Sequence, residues 1–178
     1  MNNSEAIRAQ YHAALEMLWQ AVSRCPPSLW DNPDDRNRFW HVAYHAVFYT
    51  HLYLQNSLQE FRPWADHREQ YERLEPLPSP PDDQPRVREA YSQEQVLAYL
   101  DFCGQQVQAQ LAVLNLQAET SGFPWLPFGK LELQLYNIRH LQLHTGELME
   151  RLGAREHIDV GWIATKPEAT ASVHQRKQ

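Results

Sequence analysis

The sequence predicts an all-α fold, a four-helix bundle, and three observations carry that prediction. Apolar residues recur at steps of three and four over four separate stretches, each long enough for a helix of roughly 19 to 27 residues. No stretch shows the alternation that would mark a half-buried strand. A proline pair closes the first stretch and a capping box opens the third. A chain of 178 residues, 43% of them hydrophobic, is one domain with enough material for a sizeable core. We expect that domain over residues 1–165 and a polar, flexible tail over 166–178.

The elements follow in order. Ala6, Ile7, Tyr11, Ala14, Leu15, Leu18 and Val22 mark a first helix from about Glu5 to Ser23, which Pro26 and Pro27 end. Asp34 and Asp35 supply acidic residues for the start of a second, running to about Glu60. Ser92-Gln93-Glu94-Gln95 reads as a capping box and opens a third through Val96, Leu97, Leu100, Val107, Leu111 and Leu114. The fourth begins near Gly129 or Lys130 and ends at Leu152, with Gly153 placed as its C-terminal cap.

Between the second and third helices lies a crossover over about residues 61–91, which holds six of the twelve prolines. Its middle, Asp66 to Leu74, suits a short helix, and Pro76 to Pro85 should be extended. A crossover this long lets the second and third helices run in a common direction. It is also longer than a bundle end requires, so we expect it close to the functional site, and it reads either as a passive crossover or as a lid over a pocket.

Composition excludes several function classes. The net charge is −6 and the only basic cluster is Arg176-Lys177, so a phosphate-gripping, nucleic-acid-binding role is not expected. Cys25 and Cys103 have neither metal-type spacing nor a disulfide framework, which fits a reducing cytoplasm. The start, Met1-Asn2-Asn3-Ser4-Glu5, lacks signal-peptide character, and no apolar run reaches the ~18 residues of a membrane span. A soluble cytoplasmic protein, without a membrane partner, is expected.

The histidines carry the chemical signal. His140 and His144 are four apart, which stacks both imidazoles on one helix face. His45 lies in a stretch, Phe39 to Gln59, that contains no Asp, Glu, Lys or Arg and so belongs to a mostly buried helix. A His there needs either a hydrogen-bond partner or a metal, because an unpaired polar group costs about 1–3 kcal/mol. The residues alone leave two readings open, a three-His metal site and ordinary satisfied core histidines. Three neutral imidazoles would leave an ion its charge, able to lower the pKa of a bound water toward ~7 or to bind a thiol as thiolate.

Two stretches carry a resemblance. Phe39-Trp40-x-Val42-Ala43-Tyr44-His45-x-x-Phe48-Tyr49-x-x-Leu52-Tyr53-Leu54, followed by Asn137-Ile138-Arg139-His140-x-x-x-His144-x-Gly146-x-Leu148, resembles the DinB/YfiT superfamily of bacterial four-helix-bundle proteins. The likeness is close over the second and fourth helices and extends elsewhere only to length and helical character. It implies an up-up-down-down bundle that holds a divalent metal, commonly nickel or zinc, through three His. Matched position by position, these are His45, His140 and His144. It also implies chemistry on a small electrophilic substrate: thiol transfer, with a low-molecular-weight thiol such as bacillithiol or mycothiol, or metal-dependent hydrolysis.

Neighbouring residues complete the candidate pocket. His41 lies one turn before His45, either as a fourth ligand or as a pocket-wall base, and stays outside the ligand set that the resemblance implies. His51 points about 120° away on the helical wheel and reads as a packing residue. Tyr49 and Asn137 share the ligand faces; each reads either as a core-packing or capping residue or as a candidate for pocket hydrogen bonds. Glu147, three beyond His144, is either an outer partner of that imidazole or a solvated carboxylate. The competing function is a non-catalytic interaction protein, in which a metal only pins two helices and aromatic surfaces around Trp19, Trp30, Trp40, Trp64, Trp125 and Trp162 serve a homodimer.

Overall fold

Helix-forming stretches end where a proline or a competing side-chain contact stops them, and the computed structural model, which describes residues 3–75 and 89–166, shows both kinds of stop. Helix α1 spans Asn3–Arg24 and halts before Pro26, after which Pro27 starts the four-residue α2, Pro27–Trp30. Helix α3 spans Phe39–Tyr53, α4 Gln93–Val113 and α5 Lys130–Glu156. No strand occurs among the described residues. The capping box is present: the Ser92 hydroxyl accepts from the Gln95 amide, and the Gln95 side chain accepts from the Ser92 amide.

Three boundaries differ from expectation, each for a visible reason. Helix α3 starts at Phe39 rather than near Asp34, because Asp35 turns instead to α5 and pairs with Arg155 at 2.7 Å and Arg151 at 3.8 Å. It ends at Tyr53 rather than Glu60, because the carbonyls of Gln55 and Asn56 are taken by the Lys130 ammonium and the chain then enters a 3₁₀ turn at Leu58–Glu60. Helix α5 passes through Gly153, and its cap is His157 in the left-handed conformation at φ 56°. Asp66 to Leu74 forms successive turns and no helix, with Gln70 at φ 69°. The extended run expected at Pro76 to Pro85 and the tail beyond Lys166 lie outside the described residues.

The four long helices form a square in which α1 and α3 occupy one diagonal and α4 and α5 the other. Contacts fix the directions. Tyr11 bonds Gln134 while Ser28 bonds Glu156, so α1 and α5 are parallel. Gln93 reaches Cys25 and Val22, so α4 opposes α1. Trp40 and His51 meet Tyr91 and Phe102 in that order, so α3 and α4 are parallel. The order is therefore up-down-down-up, which corrects the up-up-down-down arrangement: the short α2 connection returns the chain antiparallel, and the long crossover carries it back to repeat that direction.

Tyr11, Leu18, Trp40, Tyr44, Tyr99, Leu133 and Leu141 are among the large side chains enclosed in the core. Of the six tryptophans, Trp40 is buried, Trp19, Trp30 and Trp64 are half-buried, and Trp125 and Trp162 are exposed. Trp30 donates to the Tyr91 carbonyl and Trp64 stacks on Tyr99. Residues beyond α5 run back along α1, where the Lys166 amide bonds the Ala9 carbonyl and its ammonium meets Glu16 at 2.8 Å.

Candidate metal centre

Antiparallel packing of α3 on α5 brings three imidazoles together. Spacing of four places His45, Tyr49 and Tyr53 along one edge of α3 and Tyr136, His140 and His144 along the facing edge of α5. His45 Nε2 lies 3.1 Å from His140 Nε2, which lies 3.2 Å from His144 Nε2. One nitrogen from each of the three falls within 4.8 Å of the others.

The outer nitrogens decide what the inner ones can do. His45 Nδ1 is 2.6 Å from the Glu72 carbonyl, which can only accept, so the proton of the neutral ring is on Nδ1 and Nε2 carries a lone pair. His144 Nδ1 is 2.8 Å from Glu147 Oε2, and the same assignment follows. His140 Nδ1 is buried with no partner among the described residues. At least two lone pairs thus converge on His140, which has one proton to offer. Burial first, and then the neighbouring imidazoles, hold His45 well below the ordinary histidine range. Burial, aided by His144, lowers His140 to about 4. Neutral imidazoles are the form that binds metal.

The donor set fits an ion. Nitrogens bound at ~2.0–2.1 Å stand about 2.9 Å apart at right angles and about 3.3 Å apart at tetrahedral angles. The two observed separations, 3.1 and 3.2 Å, fall between these values. A hydrogen-bonded carbonyl and a carboxylate behind two of the rings are the outer partners that commonly orient metal-binding histidines.

A family model for the DinB superfamily matches residues 10–148. The chain belongs to the DinB superfamily. The matched span runs from α1 into α5 and includes His45, His140 and His144. No curated protein and no solved structure matches the chain.

In this DinB-superfamily chain the other candidates divide. Tyr49 borders the cluster, with its ring 4.8 Å from His45 and 5.6 Å from His140, and burial raises its pKa to about 12. Glu147 is the carboxylate behind His144. His41 is turned away: its Nε2 meets the Tyr71 carbonyl at 2.9 Å and its ring stacks on Trp40, outside the three-His group. Asn137 is fully buried and spends its amide on the Thr50 carbonyl, joining α5 to α3 rather than lining a pocket. His51 packs among Phe61, Tyr99 and Phe102.

Sequence reading missed the contribution of residues 67–72. The crossover lies directly on the cluster: Glu72 supplies the carbonyl to His45, Tyr71 the one to His41, and His67 Nδ1 is hydrogen-bonded with the Tyr44 hydroxyl at 2.6 Å. Backbone carbonyls have no residue signature, so no pattern could have announced them. Only the length of the crossover pointed there.

Proposed function

We propose that this protein holds one divalent metal ion, nickel or zinc, through His45, His140 and His144, and that it is a metal-dependent enzyme acting on a small electrophilic molecule by thiol transfer or hydrolysis. The observation that supports this most is the convergence of three Nε2 atoms whose outer nitrogens are, for two of the three, already committed to Glu72 and Glu147. When bound, the ion supplies Lewis acidity that makes a water or thiol a nucleophile near neutral pH.

The chain does the remaining work. The Glu72 carbonyl and the Glu147 carboxylate fix the tautomer and direction of two imidazoles. The turns at 69–72 cover one side of the cluster and limit water there. Tyr49 presents a phenol whose raised pKa keeps it a hydrogen-bond donor at neutral pH. No helix among the described residues is long and apolar enough to cross a membrane. With both cysteines buried and free and the net charge negative, a cytoplasmic location and a small-molecule rather than nucleic-acid partner complete the proposal.

A second reading has its own observation. Leu135 and Leu143 on α5 are more than half exposed beside the ligands, a surface that a second copy would cover if the metal served only to pin α3 to α5. One experiment separates the two. Thiol donors paired with ester and epoxide acceptors are screened against metal-loaded, metal-free and His144→Ala protein. Turnover confined to the loaded form supports the enzyme; equal turnover in all three favours the structural role.

A further inference from the structure

The ring edges that hold the three His continue past them. Tyr49 leads to Tyr53 at 5.7 Å, Tyr53 to Tyr136 at 6.0 Å, and Tyr136 to Phe128 at 5.8 Å. Tyr136 is the junction. Its ring lies nearly parallel to His140, at 13° and 6.5 Å, and also walls a cavity of about 340 Å³ with Phe128, Glu132, Leu135 and Arg139. That volume suits a single-ring molecule.

Polar groups there are left open. The Tyr49 and Tyr136 hydroxyls make no hydrogen bond with any described residue. Arg139 forms no ion pair among the described residues and rests its guanidinium 5.6 Å from the Tyr136 centroid. An arginine held over an aromatic face keeps its donors in one plane, ready for a carboxylate. Glu132, seven residues before Arg139, lies about 10 Å away along the helix and gives the cavity a polarity. An anionic group is repelled at the Glu132 end and attracted at the Arg139 end, which is the end nearer His140.

We propose that this cavity is the subsite for an aromatic carboxylate, whose ring packs against Tyr136 and Phe128 and whose carboxylate meets Arg139. The inference rests on the enzyme reading above and names its substrate class: an arene bearing an acid group, held one helical turn from the metal ligands. Tyr136 and Arg139 are then specificity determinants, not ligands. The Tyr49 and Tyr136 hydroxyls supply further donors along the lane.

The probe is 4-fluorobenzoate, observed by fluorine NMR against metal-free and metal-loaded protein whose metal content is measured in each sample. Its uncharged counterpart is 4-fluorobenzamide, and acetate is the ringless acid. We expect saturable binding of 4-fluorobenzoate at millimolar concentration or below in both forms, weakened about tenfold in Arg139→Gln. The benzamide should be indifferent to Arg139→Gln and weakened by Tyr136→Leu, and acetate, which lacks the ring, should not displace 4-fluorobenzoate from the metal-free protein. Arg139 is exposed and Tyr136 half-buried, and the Arg139→Lys variant, which keeps charge but loses the fork, should fall between wild type and Arg139→Gln.

Unchanged benzoate affinity in Arg139→Gln, acetate binding as well as benzoate without metal, or no saturable binding in either form would each overturn the subsite. The metal reading stands or falls separately. A chain that binds no metal yet binds benzoate at Arg139 loses the enzyme reading and keeps the pocket, whereas a metal-loaded chain indifferent to arenes loses only the pocket.

Discussion

The seam between α3 and α5 carries two clusters of buried polar groups, and they are built differently. Toward the start of α5, Lys130 donates to the carbonyls of Gln55, Asn56 and Ser121, Gln134 donates to Tyr53 and accepts from Tyr11, and Asn137 donates to Thr50. Nearly every donor there has met an acceptor. Beginning at His140, less than one turn past Asn137, the His cluster reverses the arrangement, with donors turned outward to Glu72 and Glu147 and lone pairs turned inward upon each other. A closed polar cluster joins helices. An open one waits for a cation, because convergent lone pairs repel until something positive lies between them.

The contrast is broken most severely by exchanging the two failures. Replacing His140 with Ala removes a ligand and should cost about a thousandfold or more in metal affinity while leaving the metal-free fold intact. Lys130→Met keeps the apolar stem and removes all three donations, leaving buried carbonyls bare at a cost of about 2–4 kcal/mol of stability. It should leave metal stoichiometry at wild-type level. Metal titration and chemical denaturation of both variants check the pair. Loss of stability in His140→Ala comparable to that in Lys130→Met would mean the His cluster is structural after all.

A smaller effect sharpens the contrast at the outer partner of one ligand. Glu147→Gln retains size and an acceptor oxygen but removes the charge behind His144 Nδ1. Metal affinity should fall by about tenfold, toward the low end of what outer-partner substitutions cost. Competition against a chromophoric chelator measures it, and an affinity equal to wild type would make Glu147 a solvated carboxylate with no part in the site.

Legibility in the sequence divides along similar lines. Side-chain patterns were readable: the capping box at Ser92, the stop at Pro26 and the three His all rest on residue identity. Long-range choices were not. Asp35 looked like a helix-start residue, and only the arrival of Arg155 and Arg151 from α5 draws it away. Gly153 looked like a cap, yet α5 continues to Glu156, with its last turn anchored by Arg155, and His157 takes the left-handed position instead. The importance of Lys130 was invisible because the carbonyls it binds could come from any residue. Gly122 shows the same limit: at φ 84°, with a Cβ position only 2.0 Å from the Asn56 oxygen, no other residue fits, though the sequence marks it only as a loop glycine.

The smallest effect concerns acid, and it separates histidines that are merely buried from those that face one another. His12 and His51 are remote from the cluster, and burial lowers each to about 4. In the unfolded chain both return to about 6.5. Between these values the unfolded state holds more protons, so their contribution to stability is fully present above about pH 6.5 and is lost as pH falls toward 4, at up to about 1.4 kcal/mol per pH unit for each proton. His140 titrates in the same window in metal-free protein. Metal-loaded protein should therefore lose stability more steeply, since acid must displace the ion as well as charge the buried rings. Thermal midpoints measured from pH 7 to pH 4 test this in wild type, His51→Phe and the His45→Ala/His140→Ala double variant. His51→Phe should flatten the metal-free slope by one proton and keep the extra slope that metal confers; the double variant should keep the contributions of His12 and His51 and show no metal effect. Equal slopes with and without metal in wild type would show that protons and metal do not compete for the same nitrogens.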